Sequence, residues 1–308
     1  MALVVTGTIS VDTIHTPDGN VRPDILGGSC TYFAAAASFY GPVRMVAVVG
    51  EDFPPPLRAT LDKFPAVDTQ GLEVRKGSKS FRWGGRYLDN MDQRETVFTD
   101  LNVIAEAPPP VPAAYRDSNL VFLANTDPNI QMQMLEQFPR KVLAVADTMD
   151  LWINIQKDAL ERLMRRVDGL VLNYDEAELL TGKRNTVAAA RALLAFGPKF
   201  VVVKKGEHGC ILAHQDGLAT VPAYPTETVV DPTGAGDTFA GGMMGYLGQR
   251  LRAGEDIRSF EAIRRALAHG TVVASFTIED FSLDRLAKLK AEEIQWRAEE
   301  FGRMLRMS

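Results

Sequence analysis

The sequence predicts an α/β fold whose sheet is mostly parallel and covered by helices on both faces. Short apolar runs of strand length recur along the chain, helical patterns fall between them, and two polar segments with turn signals interrupt the alternation. Runs that are apolar throughout, without the polar alternation of a half-exposed sheet, belong to strands buried on both sides. Helices between such strands supply the crossovers that parallel pairing needs.

Leu3 to Ile9 is the first run, and the absence of a basic segment before it marks a strand and not a secretion signal. Gly27-Gly28 opens an Ala-rich helix to about Tyr40, and the apolar run Val43 to Val49 follows. Leu120 to Ala124, Val142 to Ala146, Gly169 to Leu172 and Phe200 to Val203 are the remaining core strands. Helical patterns cover Pro56 to Phe64, Asn129 to Phe138, Lys157 to Arg166, Tyr174 to Thr181 and Val187 to Phe196. Phe260, Ile263, Leu267, Gly270 and Ala274 recur at helical spacing. A last helix is expected over about 283–306, with Ile294, Ala298, Phe301 and Leu305 along one stripe.

The interruptions fall at about 11–26 and about 72–103, and both read as strands of a small β-sheet projecting from the core. The first carries a turn signal at Pro17-Asp18-Gly19, and Phe81 to Leu101 bends at Asp89-Asn90-Met91-Asp92. Phe81, Trp83 and Tyr87 alternate, which lines one face of this sheet with aromatics. Such a face suits either covering a ligand or meeting a second subunit. The chain, 1–308, thus reads as one domain with an appended lid.

The most informative stretch is DPTGAGDTFAGGMMG, Asp231 to Gly245. Gly234-Ala235-Gly236 is a small-residue turn whose N–H groups a ligand can approach, and a helix-forming run follows it at once. A helix N-terminus carries roughly half a positive charge and up to about four unpaired donors, which makes it an anion site. Asp237 places a carboxylate at its mouth. A base beside a site for negative charge is what a phosphoryl-transfer enzyme needs to deprotonate an attacking alcohol. An N-cap and a plain glycine turn would explain the short motif as well. The glycines at 241, 242, 245 and 248 tilt the balance, because each costs on the order of 1 kcal/mol in a helix and is tolerated where a backbone or ligand comes close.

This stretch resembles the second signature of the ribokinase family, also called the PfkB family of carbohydrate and nucleoside kinases. The resemblance extends from Val4 to about Phe276, with the other motifs in the expected order. It implies a ribokinase-like three-layer α/β/α core with a β-sheet lid, and an enzyme that phosphorylates a hydroxymethyl group of a sugar or nucleoside with ATP. Asp237 is then the general base, and the N–H groups of Gly234, Ala235 and Gly236 hold the developing charge. Asn173 and Glu176 match the family's Asn-x-x-Glu and imply Mg2+ held through water beside the ATP phosphates, although a helix cap explains the pair equally. Lys204, Gly206 and Gly209 resemble the nucleotide-side turn, with Lys204 where many members carry Thr, and Thr233 joins the ATP side. Asp12, Gly27, Gly28, Ser29 and Asn125 are the implied substrate contacts; a carboxylate accepting from adjacent hydroxyls reads a diol. Asp231 corresponds to a K+ loop in members that monovalent cations activate.

Two departures narrow the acceptor. Tyr32 stands where Gly-Gly-x-x-x-Asn would place Asn, and Asp147-Thr148-Met149-Asp150-Leu151-Trp152 lacks the Asn and Arg of many sugar kinases. Both raise a nucleoside over a classical hexose or ribose. The rival reading is a non-catalytic relative that binds nucleotide or sugar as a sensor.

Composition closes other routes. A net charge of −5 without long like-charge runs argues against a nucleic-acid partner. Cys30, Cys210 and four scattered histidines form neither a disulfide framework nor metal-ligand spacing, so a reducing cytoplasm is expected. No Walker loop, dinucleotide-binding fingerprint or hydrolase nucleophile elbow is present, nor any apolar stretch of about 18 residues that would suit a membrane. The expected partners are small molecules, with a lid-mediated homodimer as the remaining option.

Overall fold

The structure, a computed structural model, describes residues 2–91 and 93–306, so Asp92 of the expected bend lies outside it, as do Met1, Met307 and Ser308. The buried apolar runs become strands of one nine-stranded sheet: β1 (Leu3–Thr6), β4 (Val43–Gly50), β5 (Val67–Arg75), β8 (Leu120–Leu123), β9 (Leu143–Asp147), β10 (Gly169–Asn173), β11 (Phe200–Lys204), β12 (Cys210–His214) and β13 (Gly217–Val221). Their order is β13-β12-β11-β10-β9-β8-β1-β4-β5, parallel from β5 to β11, with antiparallel β12 and β13 closing one edge.

Side chains alternate across this sheet into two cores. Leu3 and Val5 join Phe33, Met243, Leu267 and Phe301, so that face is covered by α1 (Ser29–Ser38), α8 (Ala235–Arg252), α9 (Phe260–Thr277) and α10 (Ala291–Met304). Val4 joins Leu135, Leu163, Ala177 and Leu193, so the opposite face carries α3 (Pro128–Glu136), α5 (Lys157–Met164), α6 (Tyr174–Thr181) and α7 (Thr186–Leu194). Two short helices, α2 (Pro55–Leu61) and α4 (Asp150–Ile155), complete the set. The glycines of α8 serve packing: a Cβ on Gly241 would lie 2.4 Å from Phe33 O of α1, and one on Gly242 would lie 3.0 Å from the Gly270 Cα of α9. Backbone approach, not ligand approach, uses these positions.

The lid is a second sheet of order β3-β2-β6-β7, built from β2 (Ser10–His15), β3 (Val21–Gly27), β6 (Phe81–Tyr87) and β7 (Arg94–Asp100). Residues 72–75 of the expected second lid segment belong instead to β5 of the main sheet, paired in parallel with β4. As an edge strand, β5 is mostly half-buried and lacks the continuous apolar run that marks its neighbours. Trp83 and Tyr87 are buried with Ile14, so the aromatic face of the lid turns inward on its own chain. The C-terminal helix starts at Ala291, after a one-turn helix at Leu286–Lys288, later than the expected 283. Ile294 and Phe301 of its stripe are buried, while Leu305 is exposed.

Candidate active site

The strand order reverses at β1, and ligands of open α/β sheets bind beyond the carboxyl ends of the strands at such a point. Three polar residues end neighbouring strands on that same side of the sheet, the nearest of them two strands from β1. Asp147 closes β9, Asn173 closes β10 and Lys204 closes β11, with Asn173 and Lys204 in direct register. Helix α8 runs against β1, β8 and β10 and brings its N-terminus to the same end. Lys204 Nζ lies against Gly236, where a Cβ would stand 2.8 Å from it, and is 3.7 Å from Asp147 Oδ2.

Gly234 caps α8 in the left-handed region (φ 75°) with no side-chain cap. Ala235 N–H donates to Pro232 O at 3.1 Å, which withdraws one donor from the expected trio. Among the described residues the Gly234 and Gly236 N–H groups have no acceptor, so the open donors are those of the two glycines. Asp237 follows, half-buried, with its carboxyl pushed up to about 7 by burial and then by the charge of Asp147, against the pull of Lys204 and Arg94. Burial opposes the Lys204 ammonium, but Asp147, Glu176 and Asp237 outweigh it and hold its pKa above the usual lysine value.

Asn173 and Glu176 form a reciprocal capping box. Glu176 N–H donates to Asn173 Oδ1 and Asn173 N–H donates to Glu176 Oε2, both at 2.8 Å. The helix cap is therefore present, and it leaves one oxygen of the Glu176 carboxylate outside the box. Burial and the charge of Asp147 push Glu176 up to about 8. Two buried carboxylates thus share one ammonium, a surplus of hard negative oxygen that suits a hydrated Mg2+. No group of three or more His, Cys, Asp or Glu able to hold a metal ion occurs among the described residues.

On the lid side Asp12 is buried across the backbone of Gly27, where a Cβ would meet its Oδ2 at 1.9 Å. Its Oδ1 has no partner, and burial raises the carboxyl to about 7, with Ser10 opposing and Asp231 adding to the rise. Gly28 has φ 99°, which lets α1 start beneath the Thr8 carbonyl. Asp231 Oδ1 accepts from Thr233 N–H at 2.9 Å, and its Oδ2 is buried without a partner. Tyr32 is fully buried; a Cβ on Gly234 would lie 2.3 Å from its ring, and its hydroxyl is also unpartnered. Among the described residues these three buried polar atoms have no partner, a cost that a bound polar ligand, ion or water repays.

Other expected site residues are committed to the protein. Ser29 Oγ donates to Asn125 O at 3.2 Å, and Ser29 N–H donates to Thr8 Oγ1. Asn125 Oδ1 accepts from Trp152 Nε1 at 2.9 Å, while its Nδ2 lies 3.0 Å from Met149 Sδ. Both residues brace the joint between α1, β8 and α4. Gly206 and Gly209 bound the turn between β11 and β12, closed by Lys205 N–H donating to Gly209 O at 2.7 Å, with His208 exposed on it. Thr233 Oγ1 is 2.9 Å from Tyr87 OH, so the lid touches the segment that leads into the α8 turn.

Sequence reasoning missed two members of this group: Asp147 as a site carboxylate and the Tyr87–Thr233 contact. Asp147 was findable, since it ends an apolar strand as Asn173 does. The lid contacts depend on strand pairing that local pattern does not carry.

The fold and site together define a phosphotransferase of the ribokinase type. A family profile described as pfkB family carbohydrate kinase matches residues 3–285, and the chain belongs to that family. It is a carbohydrate or nucleoside kinase. Over 251 residues it is 30% identical to a cytidine kinase of Thermococcus kodakarensis, covering 79% of this chain and 88% of that one. Its fold is that of the Burkholderia thailandensis nucleoside kinase solved with ADP-inosine (TM-score 0.76, 20% identity, 97% and 95% of the two chains). The ribokinase of Giardia lamblia shares it as well (TM-score 0.78, 15% identity, 97% and 99%). No helix among the described residues is long and apolar enough to cross a membrane.

Proposed function

We propose that the chain transfers the γ-phosphoryl group of ATP to the hydroxymethyl group of a nucleoside, with Asp237 as general base. The observation that supports this most is the placement of Asp237 beside the open Gly236 N–H and the Lys204 ammonium. Asp12, with a free oxygen, would take the acceptor's adjacent hydroxyls and turn its hydroxymethyl group toward Asp237. Asp237 accepts the proton as the alcohol oxygen attacks phosphorus and the bond to ADP breaks. The glycine N–H groups, the positive end of α8 and Lys204 hold the charge on the phosphoryl oxygens. Mg2+, placed through water by Asn173 and Glu176, would neutralise the phosphates. Asp231 Oδ2 is the atom a K+ ion would take beside the turn. Lid contact through Tyr87 excludes water from the transfer.

A nucleoside is favoured over a free sugar because Tyr32 is packed under Gly234 instead of offering an amide to a sugar hydroxyl, and because of the likeness to a cytidine kinase. Coupled ADP release measured against cytidine, adenosine, inosine, ribose, fructose and 2-keto-3-deoxygluconate tests the reading. Release with one or a few nucleosides is expected. Clear ligand binding without ADP release from any acceptor would favour the sensor, and release with a free sugar alone would overturn the nucleoside assignment.

A further inference from the structure

We propose that Glu279 is a positioning residue for the phosphoryl transfer, fixing the carbonyl that holds the backbone leading into the α8 turn; this rests on the kinase reading above. Helix α9 ends at Thr277, and the last carbonyls of a helix need partners from outside it. Just beyond that end, Ile278 O accepts from Val230 N–H at 2.8 Å and from Asp231 N–H at 3.4 Å. Asp231 Oδ1 in turn accepts from Thr233 N–H at 2.9 Å, one residue before Gly234. The backbone that presents the open glycine donors is therefore tied to Ile278, and Glu279 is the next residue along.

The tie is stiff because both oxygens of Glu279 are taken. Arg285 Nε donates to Oε2 and Arg297 Nη2 donates to Oε1, each at 2.8 Å. Exposed ion pairs contribute little, but here the side chains of Arg297, Arg285 and Glu279 are only 14%, 22% and 26% exposed, and one carboxylate joins two guanidiniums. Arg297 is fixed further by stacking. Its Cζ stands 3.5 Å over the centre of the Phe276 ring and 4.8 Å from that of Tyr224, and its Nη1 donates to Ser275 Oγ at 3.0 Å. Phe276 is in the last turn of α9, and Tyr224 lies on the segment between β13 and Asp231. One guanidinium on the C-terminal helix α10 thus touches both stretches of chain that meet at Asp231.

The same segment reaches the acceptor side. Ser282 Oγ donates to Leu26 O, and Leu26 precedes Gly27, the glycine over which Asp12 lies. Residues 278–282 therefore join the phosphate turn to the backbone beside the acceptor carboxylate. Transfer between two bound reactants is sensitive to such placement, and a shift of about 1 Å can cost about a hundredfold in rate. Glu279 moves no proton and touches no substrate; it acts only through where it sets the Ile278 carbonyl.

The test compares Glu279→Gln and Arg297→Met with Glu293→Gln. An amide has one acceptor oxygen, so in Glu279→Gln one arginine faces a donor. Glu293 is the control, because it accepts from Arg285 Nη2 at 2.7 Å and from Lys290 N–H at 3.0 Å, and its loss loosens the same network away from Ile278. For each variant kcat is measured per folded site, well below its own melting temperature, and amide hydrogen exchange is followed at Val230 and Asp231. Glu279→Gln is expected to lower kcat by about tenfold or more with acceptor KM within about threefold, and to speed exchange at both amides by about tenfold. Arg297→Met, which keeps an apolar stem between the two rings, should move both readouts the same way by a smaller factor. Glu293→Gln should lower the melting temperature and leave kcat and exchange within about twofold of wild type, which separates positioning from lost stability. A kcat for Glu279→Gln within about twofold of wild type, or an equal loss in Glu293→Gln, overturns the assignment. If wild type turns over no acceptor, the kinase reading falls, and exchange still decides whether Glu279 fixes this backbone: unchanged protection at Val230 and Asp231 overturns that as well.

Discussion

The Lys204 ammonium occupies the space in front of Gly236: a Cβ on that glycine would stand 2.8 Å from Nζ. One contact joins the end of β11 to the first turn of α8, and it sets a positive charge beside open backbone donors. Gly236→Ala should push Lys204 aside without blocking the fold, because the clashing atom is the end of a flexible side chain. The expected result is a fall in kcat of about ten- to a hundredfold, with thermal stability changed little. Unchanged kcat would show that Lys204 does not act at the turn.

Gly27 makes the corresponding prediction on the acceptor side. An added Cβ would meet Asp12 Oδ2 at 1.9 Å, and Asp12 is hemmed in by burial. Gly27→Ala should therefore raise acceptor KM at least about tenfold while the KM for ATP stays near wild type. Equal effects on both substrates would place Asp12 away from the acceptor.

Asn125→Ala separates bracing from binding. Its side chain holds Trp152 Nε1, so removal leaves a largely buried indole donor unpaired, a loss of about 1–3 kcal/mol of stability. Melting temperature should fall, and acceptor KM should move less than about threefold. A large KM change at constant stability would restore the substrate contact that the resemblance implied.

The carboxyls of Asp12 and Asp237 at about 7, and Glu176 at about 8, fix the sign of two pH effects. Each folded-state value exceeds the ordinary value of 3.8 or 4.5, so between those limits the folded chain binds more protons than the unfolded one. Stability of the ligand-free protein should fall as pH rises from about 5 to about 8, as thermal melts will show. Turnover should run the other way, because Asp237 works as a base only when deprotonated, so kcat should climb through a pH near 7. Asp237→Asn should be more stable than wild type at pH values above about 7, having lost one forced ionisation. Melting curves flat with pH would contradict the burial of this charge.

Much of this site was legible in the sequence because its parts sit at element boundaries. Asn173 and Lys204 end buried apolar strands, and Gly234 to Asp237 opens a helix, so local pattern locates them. What was hidden depends on long-range pairing. Tyr87 of the lid meets Thr233 beside the α8 turn through a contact spanning 146 residues. Strand β5 was missed for a related reason: one exposed edge removes the apolar run that identifies its neighbours. Ser29 and Asn125 looked available as single residues, and only the fold shows their side chains bonded to protein.

The central claim is that Asp237 takes the alcohol proton, and kcat of Asp237→Asn measures it most directly. With ATP and acceptor binding confirmed by titration to lie within about fivefold of wild type, kcat should fall by about a thousandfold or more. Turnover within about tenfold of wild type, on a variant shown to bind both substrates, would contradict it.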